Sequence, residues 1–273
     1  MNIKYFDIHC HLDLSDFDQD REEMIVRMQK EEIAAITVGV DYKTSEAAVK
    51  LAAQYSNIYA CIGAHPTDSV DENIQIKGFD EKMFDELVSH TKVVAIGECG
   101  LDYYRLPGES RKIKEQQKDL FIRQIQFAQK HTLPLMIHGR PRKGTMDAYE
   151  DIIEIISNFQ FPNHKPAGDV HFFVGNIQIA RRFLDLGFSL SFDGPITFSR
   201  EYDEVIRYIP AAALLAETDA PFAAPAPYRG KRNEPTYVKE IVSTLAQIRG
   251  EEKEILQEQL VTTAKRVFQI KDA

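Results

Sequence analysis

Alternating apolar and amphipathic segments predict an α/β fold: a single (β/α)8 TIM barrel with an extra C-terminal helix. Eight short runs, at 5–11, 34–40, 58–65, 92–98, 134–139, 168–174, 188–193 and 213–219, are mostly rich in Val, Ile, Ala and Phe. Such near-continuous apolar character is expected of parallel strands buried on both faces. Eight strand–helix units in about 250 residues favour a closed barrel. An open doubly wound sheet is the runner-up, because closure cannot be read directly from sequence.

The elements between the runs follow helical spacing. Asp20 to Glu32 carries Met24, Ile25 and Met28, and 45–55 is Ala-rich. Within 111–131, Leu120, Phe121, Ile125 and Ala128 share a face. Segments 145–158, 176–186 and 200–208 look similar. Pro235 stands where a first helical turn should begin, with Asn233 or Glu234 as its cap. Tyr237, Val238, Ile241, Val242, Leu245 and Ile248 then line one side until Gly250, and 251–269 forms the extra helix. No linker divides the chain, so residues 1–273 are expected to form one domain.

Composition narrows the function. Apolar residues are 44% and charged residues 27% of the 273, which fits neither a disordered nor a membrane chain. No apolar run approaches the ~20 residues that span a bilayer, and no signal peptide is visible. Cys10, Cys61 and Cys99 lie in or at the ends of predicted strands, as reduced packed thiols of a cytoplasmic protein would. A net charge of −9 argues against non-specific coating of duplex nucleic acid, though a few arginines and a metal can still hold a phosphate locally.

The chemistry gathers at the strand ends. His9 and His11 end the first run at i and i+2, so they share a face and Cys10 points away. His65 ends the third, Glu98 the fourth and His138 the fifth. The sixth carries His171, and Asp219 ends the eighth. Barrels of this kind place their active sites at the C-terminal ends of strands. His90, His131 and His164 fall on helix ends or loops and read as surface residues. Four histidines and two carboxylates exceed one tetrahedral zinc site and suit two divalent ions sharing a bridging carboxylate. The mixed donors favour zinc, manganese or iron, and suit magnesium less well.

The chain resembles the TatD family of metal-dependent deoxyribonucleases, among the amidohydrolase-like barrels, over nearly its whole length. The resemblance lies in Asp7-Ile8-His9-Cys10-His11-Leu12-Asp13, Gly63-Ala64-His65-Pro66, the run from Ala95 to Tyr104, Ile137-His138, Gly194-Pro195-Ile196-Thr197-Phe198, Glu217-Thr218-Asp219-Ala220-Pro221 and the run from Arg229 to Pro235. It implies that His9, His11, Glu98 and Asp219 hold one ion, and that Glu98, His138 and His171 hold the second. It also implies that His65 contacts the substrate phosphate. Two segments depart from the family pattern. His138-Gly139-Arg140-Pro141-Arg142-Lys143-Gly144 replaces the usual His-Ser-Arg-Asp-Ala, and His171-Phe172-Phe173-Val174-Gly175 replaces His-Cys-Phe-Ser-Gly.

The expected reaction is hydrolysis of DNA phosphodiester bonds, exonuclease-like, with Asp219 and Glu98 as the catalytic pair and Asp219 taking the proton of the attacking water. Glu217 and Asp102 are candidates to orient ligand histidines. Arg105, Arg140, Arg142, Lys143, Arg200, Arg229, Lys231 and Arg232 follow strands on the same rim. Of these, Arg229 and Lys231 are the leading phosphate contacts. Tyr103, Tyr104 and Phe198 are candidates for stacking bases. A barrel mouth admits single strands or chain ends more readily than duplex interiors. No membrane and no obligate protein partner are expected. The alternatives are hydrolysis of a small phosphoester, lactone or amide on the same centre, or a non-catalytic metal-stabilised scaffold.

Overall fold

The computed structural model describes residues 2–67, 79–104, 106, 110–159 and 168–271. The eight apolar runs form strands β1 (Tyr5–Cys10), β2 (Ile33–Val38), β3 (Ile58–Ile62), β4 (Val93–Asp102), β5 (Leu135–Arg140), β6 (Gly168–His171), β7 (Ser189–Phe192) and β8 (Leu214–Ala216). They pair in parallel in sequence order. The sheet closes beyond the end of β8: Asp219 N donates to His9 O at 2.9 Å and His11 N to Ala220 O at 2.7 Å. Closure removes the open sheet from consideration.

The described α-helices are α1 (Arg21–Lys30), α2 (Tyr42–Gln54), α3 (Glu81–Val88), α4 (Arg111–His131), α5 (Asp147–Ser157), α6 (Ile177–Asp185), α7 (Asp203–Tyr208), α8 (Val238–Arg249) and α9 (Lys253–Val267), with short 3-10 turns between some of them. Local chemistry sets several ends. Asp41 and Thr44 form a reciprocal capping box at the start of α2. Gly250, at φ 66°, ends α8 in the left-handed region that glycine enters freely. α3 was not anticipated from periodicity, and its only buried side chain is Phe84. Pro235 opens a short 3-10 turn that leads into α8. Neither expected cap is made: Glu234 offers no side-chain bond to the turn's amides, and Asn233 is engaged elsewhere.

The strand boundaries also differ from the sequence expectation. β4 runs on to Asp102, whereas β1, β3 and β8 stop before His11, His65 and Asp219. These three residues stand on segments that leave their strands but stay bonded across the barrel, as His65 N does to Val40 O at 2.8 Å.

Helix α9 lies at the N-terminal end of the barrel. Arg266 donates to Ala212 O and Gln269 to Thr132 O, just ahead of β8 and β5. Val261, Ala264, Val267 and Phe268 join one buried cluster with Phe6, Ile36, Val94, Met136 and Leu215 from the strands. The opposite mouth is left open for chemistry. Among the described residues, no helix is long and apolar enough to cross a membrane. Cys10, Cys61 and Cys99 are buried and unpaired.

Candidate active site

Five histidines and two carboxylates meet at the C-terminal mouth. His9 Nε2 and His11 Nε2 are 3.3 Å apart, while the Cys10 thiol turns away to Ile36 O. Asp219 Oδ1 lies 3.8 Å from His9 Nε2 and 3.5 Å from His11 Nε2. Glu98 divides its two oxygens. Oε2 faces the first pair, 3.5 Å from His9 Nε2 and 3.9 Å from His11 Nε2. Oε1 lies 2.7 Å from His138 Nδ1, 2.8 Å from His171 Nε2 and 3.4 Å from His65 Nε2. Three groups with ligand-like geometry result among the described residues: His9–His11–Asp219, His65–Glu98–His138 and, deeper, His9–His171–Glu217.

The sequence aims these residues through local irregularities. The β1–β2 register shifts between Asp7 and Cys10, around His9, and the β4–β5 register shifts between Ile96 and Cys99, around Glu98. Such shifts re-aim a side chain within a strand. Gly100, at φ 140°, follows in β4, where an added Cβ would fall 2.0 Å from His138 O. Only glycine fits that approach of β4 to β5. Asp219 itself holds a left-handed φ of 54°, a strained position typical of functional loops. Its segment is clamped from behind. Asp7 accepts from Thr218 N (2.8 Å) and Thr218 Oγ1 (2.5 Å), and Asn233 Nδ2 donates to Thr218 O (2.7 Å) and Phe222 O (2.6 Å).

Each ring of the four ligand-candidate histidines has a second nitrogen facing a fixed acceptor. His11 Nδ1 is 2.8 Å from Val38 O, and His138 Nε2 is 3.2 Å from Asp102 Oδ2. His9 and His171 stack with centroids 3.9 Å apart. Their Nδ1 atoms face one oxygen, Glu217 Oε2, at 4.0 and 3.7 Å. A proton held on the outward nitrogen leaves the inward lone pair for a cation, the arrangement that orients metal-ligating imidazoles.

Charge makes the same demand. Asp7, Glu98, Asp102, Asp169, Asp193 and Glu217 are all buried, and no lysine or arginine is buried among the described residues. Burial pushes Asp7, Asp169 and Asp193 well above the usual carboxylate range. Burial would also raise Glu98, but His171, His65 and His138 together hold it well below that range. Burial disfavours charge on His11, yet Asp219 and Glu98 outweigh it and lift the imidazole to about 9. Such a centre needs compensating positive charge, from protons or from cations. The donor set therefore fits divalent metal.

A cavity of about 1200 Å³ opens over this centre, lined by His11, His65, Glu98, His138, His171 and Asp219 and walled by Tyr104, Arg140, Lys143, Tyr202 and Phe222 among others. Several rim expectations change. Tyr103 is fully buried, with its hydroxyl donating to Asp151 Oδ2 at 2.8 Å, so it cannot meet a substrate. Tyr104, the next residue, is 49% exposed on the cavity wall. Arg229 and Lys231 are exposed on the segment after β8 but do not line the cavity. Arg229 lies over the Phe198 ring instead. Arg232 is tied to Asp20, and Arg200 packs on Ile196 O. Arg105 and His164 lie outside the described residues. His131 pairs with Asp85 away from the site. Phe222, 53% exposed beside His11, was missed, because it sits in an irregular turn without periodicity.

Comparison with known proteins agrees with this geometry. The model for the TatD related DNase family matches residues 6–269. The uncharacterized metal-dependent hydrolase YabD of Bacillus subtilis (strain 168) is 39% identical over 268 residues, covering 97% of this chain and 99% of that one. The 3′-5′ ssDNA/RNA exonuclease TatD of Pectobacterium carotovorum subsp. carotovorum (strain PC1) is 31% identical over 274 residues, covering 97% and 99%. The crystal structure of YjjV, a TatD homologue from Escherichia coli K12, aligns with a TM-score of 0.85 at 26% identity, over 99% of this chain and all of that one. With its closed parallel barrel and its histidine–carboxylate mouth, the chain belongs to the TatD related DNase family.

Proposed function

We propose that the protein is a metal-dependent phosphodiesterase that hydrolyses single-stranded DNA or DNA chain ends. The observation that carries this reading is Glu98, whose two oxygens face two separate groups of donors. His9, His11 and Asp219 would hold one divalent ion, His138 and His171 a second, and Glu98 both. Zinc, manganese or iron suits these donors better than magnesium. Bound there, the ions would supply Lewis-acid activation of water and neutralise charge on the phosphoryl oxygens.

The remaining steps belong to the chain. Asp219, at the cavity edge, accepts the proton of the attacking water. His65, on the wall beside Glu98, donates to a phosphoryl oxygen. Tyr104 and Phe222 offer exposed faces on which unpaired bases stack. The Pectobacterium relative's action on single-stranded DNA and RNA supports the same substrate class. Three buried unpaired thiols suit a reducing compartment, and we place the protein in the cytoplasm.

The test uses 3′- and 5′-labelled single-stranded DNA with metal-free protein and added Mg²⁺, Mn²⁺ or Zn²⁺. Metal-dependent laddering from one end is expected. Asp219→Asn should keep its melting temperature and lose about 100-fold or more in turnover, the usual contribution of a general base. Near-normal turnover in that variant would remove Asp219 from the role. Inertness toward DNA with every metal, alongside hydrolysis of lactones or simple phosphoesters, would move the activity to small substrates.

A further inference from the structure

The cavity wall is electrically lopsided. Its floor carries Glu98, Asp102 and Asp219, and the Lys and Arg side chains among its described lining, Arg140, Arg142 and Lys143, all come from the end of β5 and the turn before α5. This is one of the two segments that depart from the family pattern, although Arg140 itself stands where that pattern also has arginine. Arg140 follows His138 by two residues, so it shares that strand face, roughly 7 Å further along. Its guanidinium lies 4.2 Å from the centroid of the Tyr104 ring.

The turn beyond is held rigid. Arg142 N and Nε donate to Asp147 at 3.0 and 2.8 Å, and Thr145 Oγ1 donates to the same carboxylate at 2.9 Å. These bonds occupy Arg142. They leave Lys143 exposed at the cavity mouth, with no partner among the described residues. The cavity, at about 1200 Å³, is also larger than the ~300–1,000 Å³ that houses one drug-sized ligand.

We infer that Arg140 and Lys143 form a second phosphate subsite, which receives the phosphate one nucleotide away from the scissile bond. The inference rests on the phosphodiesterase reading above and narrows its substrate: the protein takes a strand with at least two phosphates in preference to an isolated diester. Two anions cannot both sit on the carboxylate-rich floor, whereas a cationic wall one step along the strand can hold the second. Arg142 serves as the strut that fixes the turn.

Trinucleotides test this. In each of two substrates one linkage is an uncharged methylphosphonate, on the 3′ side in one and the 5′ side in the other, so only the remaining phosphate is cleavable. Relative to the unmodified trinucleotide, neutralising the neighbour on one side should lower wild-type kcat/KM about fivefold, the worth of a partly exposed ion pair. In the double variant Arg140→Gln/Lys143→Ala, charged and neutral substrates should be cleaved at equal rates. Lys143→Glu, at an exposed position that folding tolerates, should reverse the preference. A wild type indifferent to the neutral linkage on both sides, or a double variant that keeps the full penalty, overturns the subsite. Failure of loaded wild type to cleave any trinucleotide overturns the phosphodiesterase reading instead, and the subsite with it.

Discussion

Glu217 reaches the base of the site with one oxygen committed and one waiting. Oε1 accepts from Phe172 N, while Oε2 and the facing Nδ1 atoms of His9 and His171 have no hydrogen-bond partner. One carboxylate thus addresses a histidine from each donor group. Asp102 serves His138 alone. Metal affinity should report this difference. Asp102→Asn should weaken one ion by about 10- to 100-fold, whereas Glu217→Gln should weaken both by a similar factor. Competition with a chelating dye measures each step, and a Glu217→Gln protein that binds both ions normally would leave that carboxylate a mere filler of the barrel. The same neighbourhood marks the limit of sequence reading. Tyr103 and Tyr104 are adjacent and chemically alike, and only the turn that follows β4 decides that one lies under Lys114 and the other faces the cavity.

β8 is three residues long, yet it must deliver Asp219. The work passes to the segment behind it, where Asn233 ties Thr218 to Phe222 through two carbonyls. Removing that amide strands two carbonyl acceptors, that of Thr218 buried. Asn233→Ala should cost about 2 kcal/mol in urea unfolding and should lower turnover by loosening Asp219; unchanged stability would mean that water replaces the amide without loss. Elements with strong periodicity were legible in advance, α4 at 111–131 above all. α3 was not, since one buried Phe84 leaves little pattern to read. The five site histidines could be singled out because parallel strands in a barrel all end at one mouth. Arg229 and Lys231 could not be placed, because segments after strands carry no period that says which way a side chain turns.

For the molecule as a whole, the centre links stability to pH. In the metal-free protein, neighbouring carboxylates outweigh burial and raise His11 to about 9 and His138 and His171 above their ordinary value. A raised pKa stabilises the fold below the unfolded value, near 6.5, and that contribution is lost as pH climbs through the folded value. His9, lowered by burial, runs the other way. Glu98, held low, stays ionised throughout and adds no slope there. Divalent ions require the neutral imidazoles. The rise in melting temperature on adding Mn²⁺ should therefore grow between about pH 6 and pH 9. A rise that is flat or shrinking over that range would mean that these histidines are not the ligands.

The count of bound ions decides whether this mouth is a two-ion centre. Protein equilibrated with Mn²⁺ or Zn²⁺, freed of excess and measured by plasma mass spectrometry, should retain two ions per chain. Glu98→Ala, which removes the shared carboxylate, should retain fewer than one. Wild type that holds one ion or none, or a Glu98→Ala variant that still holds two, would be incompatible with a centre built around Glu98.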